Sequence, residues 1–204
     1  MRLGILGGVL NPPHLGHLVV AQEALAQLEL DEVWFVPVGR APHREVEADP
    51  GADARLGLCR AATADDERLG VSRIELDRPG PSYTADTLRT LRSQRPATDE
   101  LVLLLGSDQA AELPQWHQPE EVLALAEVGV VARAGLSPHD VRARLGGLRG
   151  AEGLRFFEMP RIDISSTLVR RRVAEGRPIR YLVPRPVERL IAELGLYRAP
   201  VTAS

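Results

Sequence analysis

The sequence predicts an α/β protein built on a doubly wound parallel sheet, and three observations carry that reading. Short apolar, β-rich stretches alternate with helical spacings along the chain, the pattern of strands joined by crossover helices. Two of those strands run into glycine-containing turns, Gly7-Gly8 and Gly106-Ser107-Asp108, and the carboxyl ends of strands are where ligands bind in such sheets. The length of 204 residues suits one good-sized core and is short for two, so residues 1–204 are expected to form a single domain.

In chain order, residues 2–6 read as a first strand. Residues 18–28 carry helical spacing through Leu18, Ala21, Leu25 and Leu28, and residues 32–36 form a second buried strand. A helix over 54–64 precedes a strand at 71–74, and a helix follows over 84–92. Residues 101–105, all Leu or Val, are the most apolar strand, and a further strand spans 128–132. A helix at 138–145 precedes the last strand, 154–157, and two helices at 167–174 and 186–194 close the chain. The proline-rich, charged stretch 39–51 reads as a loop over the site. Residues 146–153 read as a flexible connection and 198–204 as a frayed tail.

Composition excludes several classes. An apolar fraction of 44% with 26% charged residues is ordinary for a globular protein. No apolar run approaches the roughly 20 residues of a membrane span, and the opening residues lack a signal peptide's long apolar region. One cysteine, Cys59, cannot form an internal disulfide, which fits a reducing cytoplasm; its apolar neighbours suggest a buried structural thiol. The net charge of −3 and 4% aromatic content argue against nucleic acid as a partner. All 25 cations are arginine, so any phosphate contact from a cationic side chain must come from a guanidinium and no lysine nucleophile exists.

The strongest signal is the run from Gly7 to His17, GGVLNPPHLGH. Gly7 and Gly8 let backbone approach a ligand closely. After Leu10 and Asn11, two prolines fix an extended path, so the helix starts near Gly16 and His14 and His17 flank its amino end. That end offers N–H groups and a partial positive charge suited to phosphate. Two imidazoles there can donate to oxygens whose charge grows in a transition state. Either histidine alone fits a structural role; the pair on a glycine turn points to function. A second signal is Ser165-Ser166-Thr167 with Arg170 one turn on. Three hydroxyl residues at a helix start suggest caps, but with Arg170 near the same face they can also share one phosphate chain.

These two runs resemble the H-x-G-H and I-S-S-T-x-x-R motifs of the nucleotidyltransferase superfamily. Further residues resemble its bacterial nicotinate-mononucleotide adenylyltransferases: Pro42-His43-Arg44, Gly80-Pro81-Ser82-Tyr83-Thr84, Gly106-Ser107-Asp108, Pro114-Gln115-Trp116, Tyr181-Leu182-Val183-Pro184 and the closing Gly195-Leu196-Tyr197-Arg198. The motifs keep the family's order over nearly the whole chain. Val9 and Leu10 stand where the family usually has Thr or Ser and then Phe, and Arg44 stands where many members have Lys.

The resemblance implies a Rossmann-like nucleotidyltransferase fold and in-line attack by the phosphate of nicotinate mononucleotide on the α-phosphorus of ATP. No protein nucleophile is needed, and catalysis rests on positioning and charge stabilisation. His14, His17, Arg44 and Arg170 would hold the triphosphate, with Gly7, Gly8, Leu10, Asn11, Gly16, Gly106, Ser165, Ser166 and Thr167 around the nucleotide. Mg²⁺ would be carried on the ATP phosphates, with no dedicated protein ligands for it in the motifs. For the acceptor, Asp108 would accept from ribose hydroxyls, Trp116 would stack on the pyridine ring, and Thr84 with amides near Tyr83 and His117 would meet the carboxylate. Asp108 could equally cap a helix, Trp116 could belong to the core and Tyr83 to packing. Arg133 is a candidate phosphate contact with chance as its rival. A homo-oligomer is allowed by the sequence but not read from it.

Two related enzymes compete with this reading, an adenylyltransferase for nicotinamide mononucleotide and one for phosphopantetheine. A nucleotide sensor without catalysis is a third reading, encouraged only by Val9 and Leu10.

Overall fold

The structure, a computed structural model, describes residues 1–42, 46–132 and 136–198. Its centre is a six-stranded sheet of β1 (Arg2–Gly8), β2 (Glu32–Pro37), β3 (Leu69–Val71), β4 (Glu100–Gly106), β5 (Glu127–Ala132) and β6 (Arg155–Glu158). Every pairing is parallel and the order across the sheet is β3-β2-β1-β4-β5-β6. The order reverses between β1 and β4, and the crevice at the carboxyl ends of those two strands is the expected ligand position in such a sheet.

Eight α-helices are found among the described residues: α1 (Leu15–Gln27), α2 (Ala52–Thr63), α3 (Thr84–Gln94), α4 (Ser107–Ala111), α5 (Pro119–Leu125), α6 (Pro138–Arg144), α7 (Ser166–Ala174) and α8 (Arg185–Glu193). None is long and apolar enough to cross a membrane. Because successive strand side chains face opposite sides, Leu101, Leu103 and Leu105 join Leu3 and Ile5 in a core with Leu88 and Leu91 of α3. Val102 and Leu104 face the other way, toward Val20, Ala21, Ala24 and Leu25 of α1. Burial on both faces explains why β4 reads as an unbroken apolar run. A third core joins Leu58 and Ala62 of α2 to Val169, Val187 and Ile191 of α7 and α8, fastening the carboxyl-terminal helices to α2. Cys59 is fully buried and burial pushes its thiol up to about 12, as a structural thiol requires.

Two sequence expectations need correction, and one helix was missed. The third strand is Leu69–Val71, pairing Val33 with Leu69 and Phe35 with Val71, whereas Ile74 lies in a turn closed by Leu76 N–H to the Arg73 carbonyl. The apolar spacing from Val71 to Ile74 reflects packing of that turn on the core, not a continuing strand. Residues 146–153 are not merely a connection: they hold successive hydrogen-bonded turns and a 3₁₀ turn at Ala151–Gly153. Helix α5 was not anticipated, although Pro119 at its first turn followed by Glu120 and Glu121 is a legible helix start.

Candidate active site

The β1 turn and the amino end of α7 are bonded together across 154 and 159 positions of sequence. Ser166 Oγ donates to the Pro12 carbonyl at 2.8 Å, and Arg170 Nη1 donates to the Asn11 carbonyl at 2.9 Å. Around this junction is a cavity of about 570 Å³ lined by Gly7, Gly8, Leu10, Asn11, His14, Gly16, His17, Gly106, Ser165, Ser166, Thr167 and Arg170. Every described residue expected to hold the nucleotide is therefore in one lining. Arg44 lies outside the described residues.

His14 is the residue before α1 and His17 stands three residues on. Their rings are 3.9 Å apart between centroids, and the His14 backbone N–H donates to His17 Nδ1 at 3.2 Å. With Nδ1 accepting, the neutral His17 ring carries its proton on Nε2. Gly16 makes this possible, because an added Cβ would sit 3.0 Å from the His14 ring. Leu10 is buried at φ 50°, a left-handed conformation that costs a β-carbon residue about 1–2 kcal/mol and is held by the turn around it.

The three hydroxyls have distinct bonds. Ser165 Oγ accepts from Leu168 N–H and caps α7, Ser166 makes the bridge to Pro12, and Thr167 Oγ1 accepts from Arg170 Nη2 at 3.4 Å. The capping reading holds for Ser165, and all three hydroxyls line the first cavity. Arg170, largely buried, also pairs through Nη2 with Glu47 Oε2 at 2.5 Å. Asn11 Nδ2 donates to the carbonyls of Glu47 and Ala48 at 2.9 and 3.3 Å.

A second cavity of about 420 Å³ adjoins the first and shares Gly7, Gly8, Val9, Leu105 and Gln109 with it. Tyr83, Thr84, Trp116 and His117 line its far side. Tyr83 and His117 rings lie 4.3 Å apart, and Thr84 opens α3. Trp116 is half-buried against the sheet core and also lines this cavity. Asp108 lines neither cavity and is exposed. The next residue, Gln109, accepts from Gly106 N–H through Oε1 and faces both cavities, and one helical step turns Asp108 about 100° from it. Gln109, not Asp108, also makes the capping contact the sequence assigned to the aspartate. Arg133 lies outside the described residues.

The turn at Ser82 beside the second cavity is braced by groups that sequence reasoning passed over. Ser82 Oγ accepts from the N–H groups of Gly39 and Arg40 at 3.1 and 3.3 Å. Gly39 has no alternative, since a Cβ there would lie 2.3 Å from the Glu75 carbonyl oxygen. The Glu75 carboxyl is buried, accepts from Thr87 Oγ1 at 2.8 Å, and lines the second cavity; burial pushes its pKa up. Glu112 is a further lining residue. Ser82 stood inside a quoted motif and was findable; Glu75 and Glu112 carry no local signal. Among the described residues no group of three or more His, Cys, Asp or Glu is placed to hold a metal ion.

The cytidylyltransferase-like family model matches residues 5–172. A protein of Roseiflexus sp. named "Probable nicotinate-nucleotide adenylyltransferase" is 44% identical over 198 residues, covering 96% of this chain and 98% of its own. One of the same name from Exiguobacterium sibiricum is 42% identical over 200 residues, covering 97% and 99%. The solved structure of Plasmodium falciparum nicotinic acid mononucleotide adenylyltransferase complexed with NaAD superposes with a TM-score of 0.78 at 15% identity, covering 96% and 97%, a likeness of fold.

Proposed function

The chain belongs to the cytidylyltransferase-like family and groups there with the nicotinate-nucleotide adenylyltransferases, and on that premise we propose that it transfers the AMP of ATP to nicotinate mononucleotide, releasing pyrophosphate. The observation that carries the reading is the pair of cavities meeting at Gly7-Gly8, where the sheet order reverses. One cavity is lined by imidazoles, hydroxyls, peptide N–H groups and a guanidinium, the donors that phosphate oxygens take. The other presents an aromatic wall with a helix start, suited to a flat ring bearing a carboxylate. The proposal takes residues 1–204 as one nucleotidyltransferase domain, because a single sheet serves both halves.

In this reading an oxygen of the acceptor phosphate attacks the α-phosphorus at the Gly7-Gly8 junction. The bond from the α-phosphorus to the bridging oxygen breaks, and that oxygen leaves with pyrophosphate. His14, His17, Arg44 and Arg170 hold the triphosphate, and Nε2–H of His17 is the ring's donor toward it. Gly106, Leu10, Asn11, Gly16, Ser165, Ser166 and Thr167 shape the nucleotide half. Tyr83, Thr84, Trp116 and His117 receive the pyridine ring and its carboxylate; Asp108 and Arg133 remain proposed acceptor contacts from the family pattern only. The lining donors suit phosphate rather than a caged metal, and Mg²⁺ carried on the phosphates would neutralise charge on the leaving pyrophosphate.

The deciding experiment incubates the purified protein with ATP and, separately, nicotinate mononucleotide, nicotinamide mononucleotide or phosphopantetheine, following pyrophosphate and the adenylylated product. Nicotinate adenine dinucleotide should form fastest. Faster product from either other acceptor, or none from any, would overturn the reading.

A further inference from the structure

The closing Gly195-Leu196-Tyr197-Arg198 run lies outside both cavity linings, yet its tyrosine reaches the nucleotide turn. Helix α8 ends with Gly195 N–H bonded to the Ala192 carbonyl and Leu196 N–H to the Ile191 carbonyl, a paired C-terminal turn with Gly195 at φ 62°. That turn sends the chain back across the third core, where Tyr197 packs and itself holds φ 62°. Its hydroxyl then donates to Asn11 Oδ1 at 2.6 Å, across 186 positions of sequence.

We propose that Tyr197 is a positioning residue for the nucleotide half, acting through Asn11. The proposal rests on the adenylyl-transfer reading above. The Asn11 side chain has two orientations. In the observed one, Oδ1 accepts from Tyr197 while Nδ2 donates to the Glu47 and Ala48 carbonyls. Flipped, its oxygen would face those two carbonyl oxygens and the three bonds could not all form. The phenol therefore secures the amide that grips residues 47 and 48. Glu47 in turn meets Arg170, which binds both the Asn11 carbonyl and the Glu47 carboxylate. Burial raises the phenol's pKa, so the group remains a proton donor through the neutral range. The inverse arrangement, a tyrosine contributing only apolar packing, would not need its hydroxyl.

Tyr197→Phe keeps the ring and removes the donor. We expect the Michaelis constant for ATP to rise about fivefold to tenfold, the scale of one hydrogen bond. The acceptor's Michaelis constant and kcat should stay close to wild type, and the melting temperature should fall by no more than the few degrees that one unsatisfied buried acceptor costs. Asn11→Ala should raise the ATP constant at least as much, and Tyr197→Phe on top of it should add nothing, because one route serves both. An activity-independent readout is cleavage of the ligand-free protein by a glutamyl endopeptidase at Glu47–Ala48, followed by fragment mass. It should be several-fold faster in Tyr197→Phe and in Asn11→Asp, which keeps the acceptor oxygen but loses the Nδ2 donors. Wild-type ATP affinity and cleavage in Tyr197→Phe, effects that multiply in the double variant, or a uniform loss tracking a lowered melting temperature would each overturn the proposal. A wild-type protein that transfers no AMP would overturn the functional reading instead, and the cleavage comparison would still judge Tyr197.

Discussion

Arg55 and Asp49 pair at 2.9 Å, Nε to Oδ1, with the guanidinium 1% exposed beneath the segment that borders the first cavity. Arg55 also donates to the Val38 carbonyl at 2.5 Å and to the Gly39 carbonyl at 3.4 Å. One side chain thus ties the start of the 38–49 segment to its end, and sets where Glu47 and the neighbouring residues can stand. It supplies the internal partners that a buried charge and buried carbonyls require.

Arg55→Ala removes those partners together. Unsatisfied buried groups and a broken ion pair should lower unfolding stability by at least about 3 kcal/mol, read by urea denaturation. Asp49→Ala should cost less, because the carbonyl bonds of Arg55 survive it. A loss in Arg55→Ala no larger than in Asp49→Ala would show that the ion pair, not the bridging of the segment's two ends, is what matters.

His17 should separate its two nitrogens. Asn at this position can accept from the His14 N–H as Nδ1 does, whereas Gln places a donor near Nε2. We expect both variants to fold, His17→Asn to lose about a hundredfold or more in kcat and His17→Gln clearly less, the scale for one transition-state donor. Steady-state rates with melting curves decide it. Equal losses would assign the imidazole to shape rather than to donation.

Most of this arrangement could be read before any coordinates. Strand β1, its glycine turn and the two histidines are local features, so sequence spacing locates them. The same holds for Ser165–Arg170 at a helix start. What could not be read is closure between distant segments: Ser166 on Pro12, Arg170 on Asn11 and Tyr197 on Asn11 each join residues more than 150 positions apart. Arg55 looked like any charge on an amphipathic helix, and nothing local marks it as buried. Asp108 shows a different limit of local reading. Its motif position is at the strand end as expected, but helical rotation gives the cleft to Gln109.

Glu75 should leave a pH signature. Burial raises its pKa above the ordinary 4.5, so folding favours the protonated form. The stability this group contributes is full below its unfolded value and is lost as pH rises through the higher folded value. Glu75→Gln, which can still accept from Thr87 but cannot ionise, should match the wild type near about pH 4 and melt higher near about pH 8, by roughly 2 °C or more. A variant that melts lower at both values would show that the ionised carboxylate is needed by the braced turn.

On the proposed function, acceptor choice would rest on the second cavity. Nicotinate mononucleotide carries a carboxylate where its nicotinamide relative carries an amide, and the wall offered to it includes Tyr83, Thr84 at the start of α3, and His117. N–H groups can donate to both oxygens of a carboxylate, whereas an amide turns N–H toward N–H and leaves groups unpaired on both sides. Each such buried group costs about 1–3 kcal/mol. Catalytic efficiency should therefore favour the acid form by at least about a hundredfold. Stacking does not sense the carboxylate, so Trp116→Ala should lower both efficiencies while leaving their ratio within about threefold of wild type. Measuring kcat/KM for both acceptors on both proteins supplies the four numbers. A ratio that collapses in Trp116→Ala would move discrimination from the helix-start donors to the indole. Equal efficiencies on the wild type would leave adenylyl transfer standing and remove nicotinate mononucleotide as the preferred acceptor.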